Sequence, residues 1–475
     1  MSEKSTSHRL IVNIVLFTIN TFGSRLIVFF LIPLYTHYLT DSQLGLADLV
    51  SSTATIMMSI FSLRISSAVL RFAGKSKDKD IVIISSALKV IIYSSLGVFA
   101  FTCMGIQFFS IDKIFYYVPI LYFVIGIKDV FAQYCKACGE VKIYALEGIT
   151  SSFSHLLAAI VFLGLYGLNT VGYLFSILLA NIIGLCILIL FGKIHVSFVS
   201  ITQPITSEML AYSLPLVPNS LSWRFIELSD RYMVAWFISS AANGIYTISY
   251  KIPAMLGTLA DIFIQAWLLT AIDEYDGDKD YSSFERIYAT FEALLVLSSS
   301  IIILFNRIIA GVFYGSGFQT AAFYSPLLIF GLLFNNLQAF FASLYNAAKE
   351  NKKLLYSSIS AAIANIILNL ILIPIIGVYG AIIATCVSYL MIAVIRIIGS
   401  RKLVQFYINY KLLIVNCSIL LMQAMFETFV PNNAIRYSCN IISFLMLFLI
   451  NFKRVQSLFG LLKKVIETKF CRGKA

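Results

Sequence analysis

Long apolar runs alternate with short polar stretches along the whole chain. Segments of membrane-crossing length fall near 11–34, 44–66, 82–108, 114–134, 147–166, 170–191, 211–238, 244–268, 288–310, 322–345, 355–375, 378–398, 409–430 and 433–452. Each approaches the ~20 residues an α-helix needs to cross the hydrocarbon layer. None shows the strict two-residue alternation of a membrane β-barrel strand. The pattern predicts an all-α polytopic membrane protein with about fourteen transmembrane helices. The first run is too long for a cleaved signal segment and contains Arg25, so it is read as a retained helix.

A faint internal repeat organises these helices. Gly45 and Gly244 each open the helix that follows them. Gly172 and Gly380 do the same within the stretches YGLNTVGYLFSILLANIIG and IPIIGVYGAIIATCVSYL. Two facing six-helix halves are a recurrent plan for transporters that open alternately to each side of a membrane. The expected organisation is an N-terminal half over 1–198, a C-terminal half over 199–402, and two appended helices with a basic tail over 403–475.

Composition agrees with lipid as the solvent. Hydrophobic residues make up 59% of the chain and charged residues 12%, with a mean hydropathy of +0.89. Soluble domains carry about 25% charged residues. The net charge of +12 comes from cations in the connecting stretches, which is a topology signal rather than a nucleic-acid surface. With the N-terminus in the cytoplasm, the inside segments collect most of the 35 lysines and arginines. They include Arg71–Lys79, Lys128, Lys136, Lys142, Lys349–Lys353, Arg396–Lys411 and the tail from Lys453. Lys113, Arg307 and Arg436 fall on the other side. The expected topology is an even number of crossings with both termini cytoplasmic. Cys135 and Cys138 form a lone C-x-x-C without a nearby histidine, and are read as packing residues. The polar interval from Asp273 to Arg286 is read as a solvated linker. No connecting segment is long enough for a catalytic domain, so an enzyme is not expected.

Ionisable residues within the runs carry the functional signal, because a charge in the bilayer is costly unless it faces water or a partner. Asn20, Thr21, Ser24 and Arg25 make a polar stripe in the first run. Ser220, Arg224, Glu227 and Arg231 share one face of the seventh, beside Asp230. Thr247, Lys251, Thr258, Asp261 and Gln265 do so in the eighth. Together they predict a hydrated cleft with Arg25, Arg224, Arg231 and Lys251 as its cations and Glu227, Asp230 and Asp261 as compensating or ion-coupling acids. Guanidinium forks and a mobile ammonium suit phosphate oxygens. The competing reading is that Arg224–Glu227 and Asp230–Arg231 only neutralise each other. Arg64 and Lys89 are read as snorkelling to the headgroups, and His155 as a packing or hydrogen-bonding residue. Pro215, Pro218 and Pro253 interrupt the backbone hydrogen bonding of the charged helices.

At these helices the sequence resembles a known family. Residues 212–256, YSLPLVPNSLSWRFIELSDRYMVAWFISSAANGIYTISYKIPAML, are similar to the signature of bacterial polysaccharide flippases, the O-antigen and capsular repeat-unit exporters of the multidrug/oligosaccharidyl-lipid/polysaccharide superfamily. The resemblance rests on D-R-Y at Asp230–Tyr232, G-I-Y at Gly244–Tyr246 and K-I-P at Lys251–Pro253. R-F-A-G-K after the second run, and residues 345–390 with Asn365 and Asn369, extend it over nearly the whole chain. The resemblance implies translocation of an undecaprenyl-pyrophosphate-linked oligosaccharide repeat unit from the inner to the outer leaflet of the bacterial cytoplasmic membrane. It implies no covalent chemistry and no cofactor beyond a coupling cation or proton. The implied partners are that lipid-linked oligosaccharide, membrane lipids, and the polysaccharide polymerase and glycosyltransferases; nucleic acid is not among them. Two alternatives remain open at this point: a flippase for the lipid-linked peptidoglycan precursor, and a membrane O-antigen polymerase or ligase. The latter would need a large external loop with basic catalytic residues.

Overall fold

The computed structural model describes Gly23, Ile27 and residues 29–74, 76–192, 203–275 and 282–472, and every regular element among them is helical. Contacts divide the chain into two compact units: Met1–Thr247 with Tyr314–Gly317, and Ile248–Phe313 with Phe318–Ala475.

Unit 1 contains α1 (Leu31–Tyr38), α2 (Asp41–Phe61), α3 (Ile65–Phe72), α4 (Lys77–Phe109), α5 (Tyr117–Ala137), α6 (Val141–Ala159), α7 (Asn169–Phe191), α8 (Gln203–Ser213), α9 (Val217–Phe237) and most of α10 (Ser240–Ser249). A capping box opens α2, where the Thr40 hydroxyl accepts from the Gln43 N–H and the Gln43 side chain accepts from the Thr40 N–H. The run predicted as one helix over 44–66 is broken. Leu63 and Arg64 have φ of 49° and 55°, the left-handed conformation that ends α2 and starts α3 in a new direction. The Ser62 side chain holds the turn, its hydroxyl donating to the Met58 carbonyl and accepting from the Arg64 N–H. Beyond it, Ile65, Val69, Ile84, Val130, Phe131 and Met209 lock α3 into a buried cluster with α4, α5 and α8. In lipid such packing works by close contact rather than by release of water.

Unit 2 contains α11 (Pro253–Tyr275), α12 (Ser282–Phe313), α13 (Ala321–Ala347), α14 (Asn351–Ile376), α15 (Val378–Ser400), α16 (Tyr410–Phe429) and α17 (Asn433–Arg472). Trp267, Tyr288, Phe291, Phe340 and Phe341 stack into its aromatic core. The two C-terminal helices, read from sequence as appended, are fastened to α12 by a buried polar seam. Glu292 meets Arg454 at 3.2 Å and Asn416 at 3.1 Å. Ser300 donates to Gln423 at 2.6 Å. Glu427, fully buried, faces Arg307 at 3.4 Å and Arg436 at 3.5 Å and accepts from Asn440 at 2.7 Å.

Among the described residues, eleven spans are long and apolar enough to cross a membrane. They match the predicted second to sixth and ninth to fourteenth runs. The first run lies mostly outside the described residues. The seventh corresponds to α9, whose charges lower its apolarity, and the eighth is split into α10 and α11 before Pro253.

Two of the cations expected in cytoplasmic connections are held inside helices by partners on neighbouring helices. Lys128 sits within α5 and pairs with Glu147 of α6 at 3.1 Å. Arg396 is buried in α15, where its guanidinium donates to Ser357 and Ser358, each at 3.0 Å, and to Gln338. Buried hydrogen-bond partners on neighbouring helices hold both where local sequence reads only a run's end.

Candidate functional site

The polar residues of unit 1 organise around the antiparallel pair α2 and α9. At one end the backbones of α2 and α10 touch. A Cβ on Gly45 would lie 1.8 Å from the Ser240 carbonyl oxygen, and one on Gly244 would lie 1.9 Å from that of Asp41. Only glycine permits this approach, and Asn243 ties it by donating to the Gly45 carbonyl at 3.0 Å. One to two turns further along, Arg231 pairs with Asp48 at 2.5 Å, and Tyr232 shares a 2.7 Å hydrogen bond with Thr53. Asp230, with no exposed surface, accepts from the Tyr246 hydroxyl at 2.5 Å and from the Arg231 N–H at 2.9 Å. Each member of the D-R-Y triplet therefore grips a different group, and the three fasten α9 to α2 and α10.

Toward the opposite end Ser220 still reaches Ser59 at 3.4 Å. Beside this contact lies a cavity of about 350 Å³. The α2–α3 segment contributes Thr55, Ser59, Ser62, Arg64 and Ser66 to its wall. Lys128, Asp129 and Gln133 come from α5, Tyr144 and Glu147 from α6, and Arg224 from α9. The charges are mostly matched. Lys128 and Ser151 hold Glu147, Gln133 donates to Asp129 at 3.2 Å, and Arg224 pairs with Glu227 at 2.7 Å on a partly exposed face. Arg64 is different: its Nε is buried, and its guanidinium has no hydrogen-bond or ion-pair partner among the described residues. Hydroxyls, an amide and cations at one wall suit a ligand rich in oxygen and negatively charged. Among the described residues, no group of three or more His, Cys, Asp or Glu side chains stands close enough to hold a metal ion.

The residues of the predicted cleft belong to both units. Arg25 lies outside the described residues. Arg224 and Glu227 stand at the cavity, joined to each other. Arg231 pairs across to Asp48. Lys251 and Asp261 lie in unit 2, both half-buried. Lys89 is exposed, and Arg64 lines the cavity. His155 shares a 2.9 Å hydrogen bond with Tyr35. Asp48, Lys128, Asp129 and Glu147 were missed from sequence. The signal was present, since Asp48 falls inside the apolar run 44–66, Lys128 and Asp129 inside 114–134, and Glu147 at the start of 147–166.

Known proteins share this architecture. The Lipid II flippase MurJ in an inward closed conformation superposes with a TM-score of 0.69 at 15% identity, over 95% of this chain and 100% of that one. An inward-facing multidrug resistance MATE family transporter of the MOP superfamily gives 0.64 at 14% identity, over 81% of this chain and 94% of that one. A MOP superfamily transporter from Pyrococcus furiosus Vc1 (DSM3638), whose binding pocket is described as reversed in polarity, gives 0.59 at 14%, over 82% and 95%. At such identities the likeness is one of fold. No curated protein matches the chain in sequence. The model of the family described as "Polysaccharide biosynthesis protein" matches residues 10–268, more than half of the chain. This multi-pass membrane protein therefore belongs to the polysaccharide biosynthesis protein family.

Proposed function

We propose that the protein moves a lipid-linked oligosaccharide from the inner to the outer leaflet of a bacterial cytoplasmic membrane. The observation that carries this reading is the hydroxyl- and cation-lined cavity between membrane-spanning helices of unit 1. Sugars match its serines and Thr55, an anionic linkage matches its basic groups, and a polyprenyl tail needs no site beyond the surrounding lipid. Arg25, Arg224 and Lys251 are proposed to hold the pyrophosphate. Glu227 and Asp261 limit its affinity so that release remains possible, and coupling is assigned to a cation or proton. Two six-helix halves followed by two helices, fourteen crossings in all, complete the proposed architecture.

The orientation follows from charge. The cavity lies near the end of unit 1 that exposes Arg71, Lys79 and Lys142, which the bias of basic residues toward the cytoplasm makes the inner end. The Gly45–Gly244 approach and the Asp48–Arg231 pair then close the outer end, and translocation requires both to separate. Arg231 and Asp230 serve as latch residues in this scheme.

The family description supports a polysaccharide repeat unit as cargo. The fold likeness to a Lipid II flippase over all of that chain's length supports a second reading, a peptidoglycan precursor. The test is leaflet-resolved labelling of both lipid-linked pools in cells depleted of the protein. Inner-leaflet accumulation of the repeat unit favours the first cargo, and accumulation of the precursor favours the second. Unchanged pools in both cases overturn the proposal.

A further inference from the structure

We propose that the turn Ser62–Arg64 carries a distinct anion subsite within the unit 1 cavity, with Arg64 as the residue that receives a phosphate or pyrophosphate group. The inference deepens the flippase reading, which supplies the reason for such a ligand, yet it stands on its own geometry. Four observations converge on it.

The turn is conformationally unfavourable. Two consecutive residues with side chains, Leu63 and Arg64, occupy left-handed backbone, which usually admits single glycines or asparagines. Strained backbone of this kind concentrates where a side chain must be aimed. The surroundings impose it, through the Ser62 hydroxyl on the near side and the buried Ile65, Ala68 and Val69 on the far side.

The side chain so aimed is the one cation on the cavity wall with its charge unmet. Lys128 already has Glu147 and Arg224 has Glu227, whereas the Arg64 guanidinium touches no acceptor among the described residues. A cation in a weakly polar interior is costly without a counter-charge. An anion arriving from outside supplies it.

The neighbours then fit the geometry of an oxyanion. Ser66 presents a hydroxyl at the same cavity, able to donate to an oxygen that the planar guanidinium leaves free. Lys128, also at this cavity, is able to exchange partners, trading Glu147 for a second phosphate oxygen. Finally, depth is right for a group entering from the basic end. Arg64 lies eight residues from the end of α3 at Phe72, about 12 Å at helical rise. A group held at Arg64 therefore sits at the end of α3 opposite its basic end at Arg71.

The experiment uses the full chain purified in nanodiscs, with binding measured by thermal shift and by thermophoresis. The probes are inorganic phosphate, inorganic pyrophosphate and a polyprenyl pyrophosphate, with chloride at matched ionic strength as the control. Wild type is compared with Arg64→Gln, Arg64→Lys and the exposed-cation control Arg401→Gln. The expected result is pyrophosphate binding by wild type and Arg401→Gln, weakened at least tenfold in Arg64→Gln, or about 1.4 kcal/mol. Arg64→Lys, which keeps the charge and loses the fork, should fall between them. Equal weakening for polyprenyl and inorganic pyrophosphate identifies the lipid headgroup as the occupant. Weakening for the inorganic anions alone identifies a free phosphate; either result supports the subsite. Wild-type affinity in Arg64→Gln, or in Arg64→Lys should the glutamine variant not fold, overturns it. The leaflet assay separates the two ideas, since unchanged lipid-linked pools in depleted cells, with Arg64-dependent binding intact, would sink the flippase reading alone.

Discussion

At the scale of single residues, charge matching decides which cations are free to act. The Asp48–Arg231 pair is mostly buried, with side chains 6% and 19% exposed. Breaking such a pair from one side leaves a lone charge and costs about 3–5 kcal/mol. Asp48→Asn and Arg231→Gln are each expected to lower the melting temperature of the purified protein. The double variant should recover part of the loss, giving a coupling of about 1–3 kcal/mol in a double-mutant cycle; strict additivity would dismiss the latch. Leu63→Gly tests the strained turn in the other direction. Glycine removes a conformational penalty of roughly 1–2 kcal/mol, set against a more flexible unfolded chain. Unfolding in denaturant should show Leu63→Gly unchanged or stabilised, whereas an ordinary helical leucine replaced by glycine would lose about 1 kcal/mol.

Elements show what was legible in the sequence and what was not. Length and apolarity located the spans from α2 onward because crossing a bilayer fixes both. The break at Leu63–Arg64 was invisible, since neither residue is a glycine or proline and both lie within or beside an apolar run. Charged faces on α9 were legible from their helical spacing, but their partners were not. Asp48 stands 183 residues from Arg231, and no local pattern links them. Lys128 was misplaced for a related reason: a cation near the end of a run reads as a loop residue until Glu147 is seen opposite it. Gly45 and Gly244, noticed only as corresponding positions of a repeat, turn out to face one another. Gly244→Ala would force two backbones apart, because the clashing atom is a carbonyl oxygen that cannot rotate away. The expected consequence is greater labelling of a cysteine at Ser42 by an impermeant maleimide added outside the cell. Labelling equal to that of the parent would show that this end is already open.

Across the whole molecule, the distribution of basic residues predicts the orientation that the proposed direction of transport requires. A fluorescent protein fused to the C-terminus should be bright and a phosphatase fused there inactive; the reverse pattern would invert the cavity's assigned side. The polar seam of unit 2 bears on how the molecule is made. Glu292 on α12 finds Asn416 on α16 124 residues later in the chain, and Arg454 on α17 later still. During synthesis α12 must therefore emerge with its carboxylate unmet, and a hairpin carrying Gln423, Glu427 and Arg436 must follow before either is comfortable in lipid. The order of assembly is thereby constrained: α12 has to wait at a protected lateral site, held by the insertion machinery or by its own neighbours, until the last two helices arrive. A chain that stops short at residue 409 would be left with an unmatched acid in the membrane and should be retained by that machinery or handed to proteolysis.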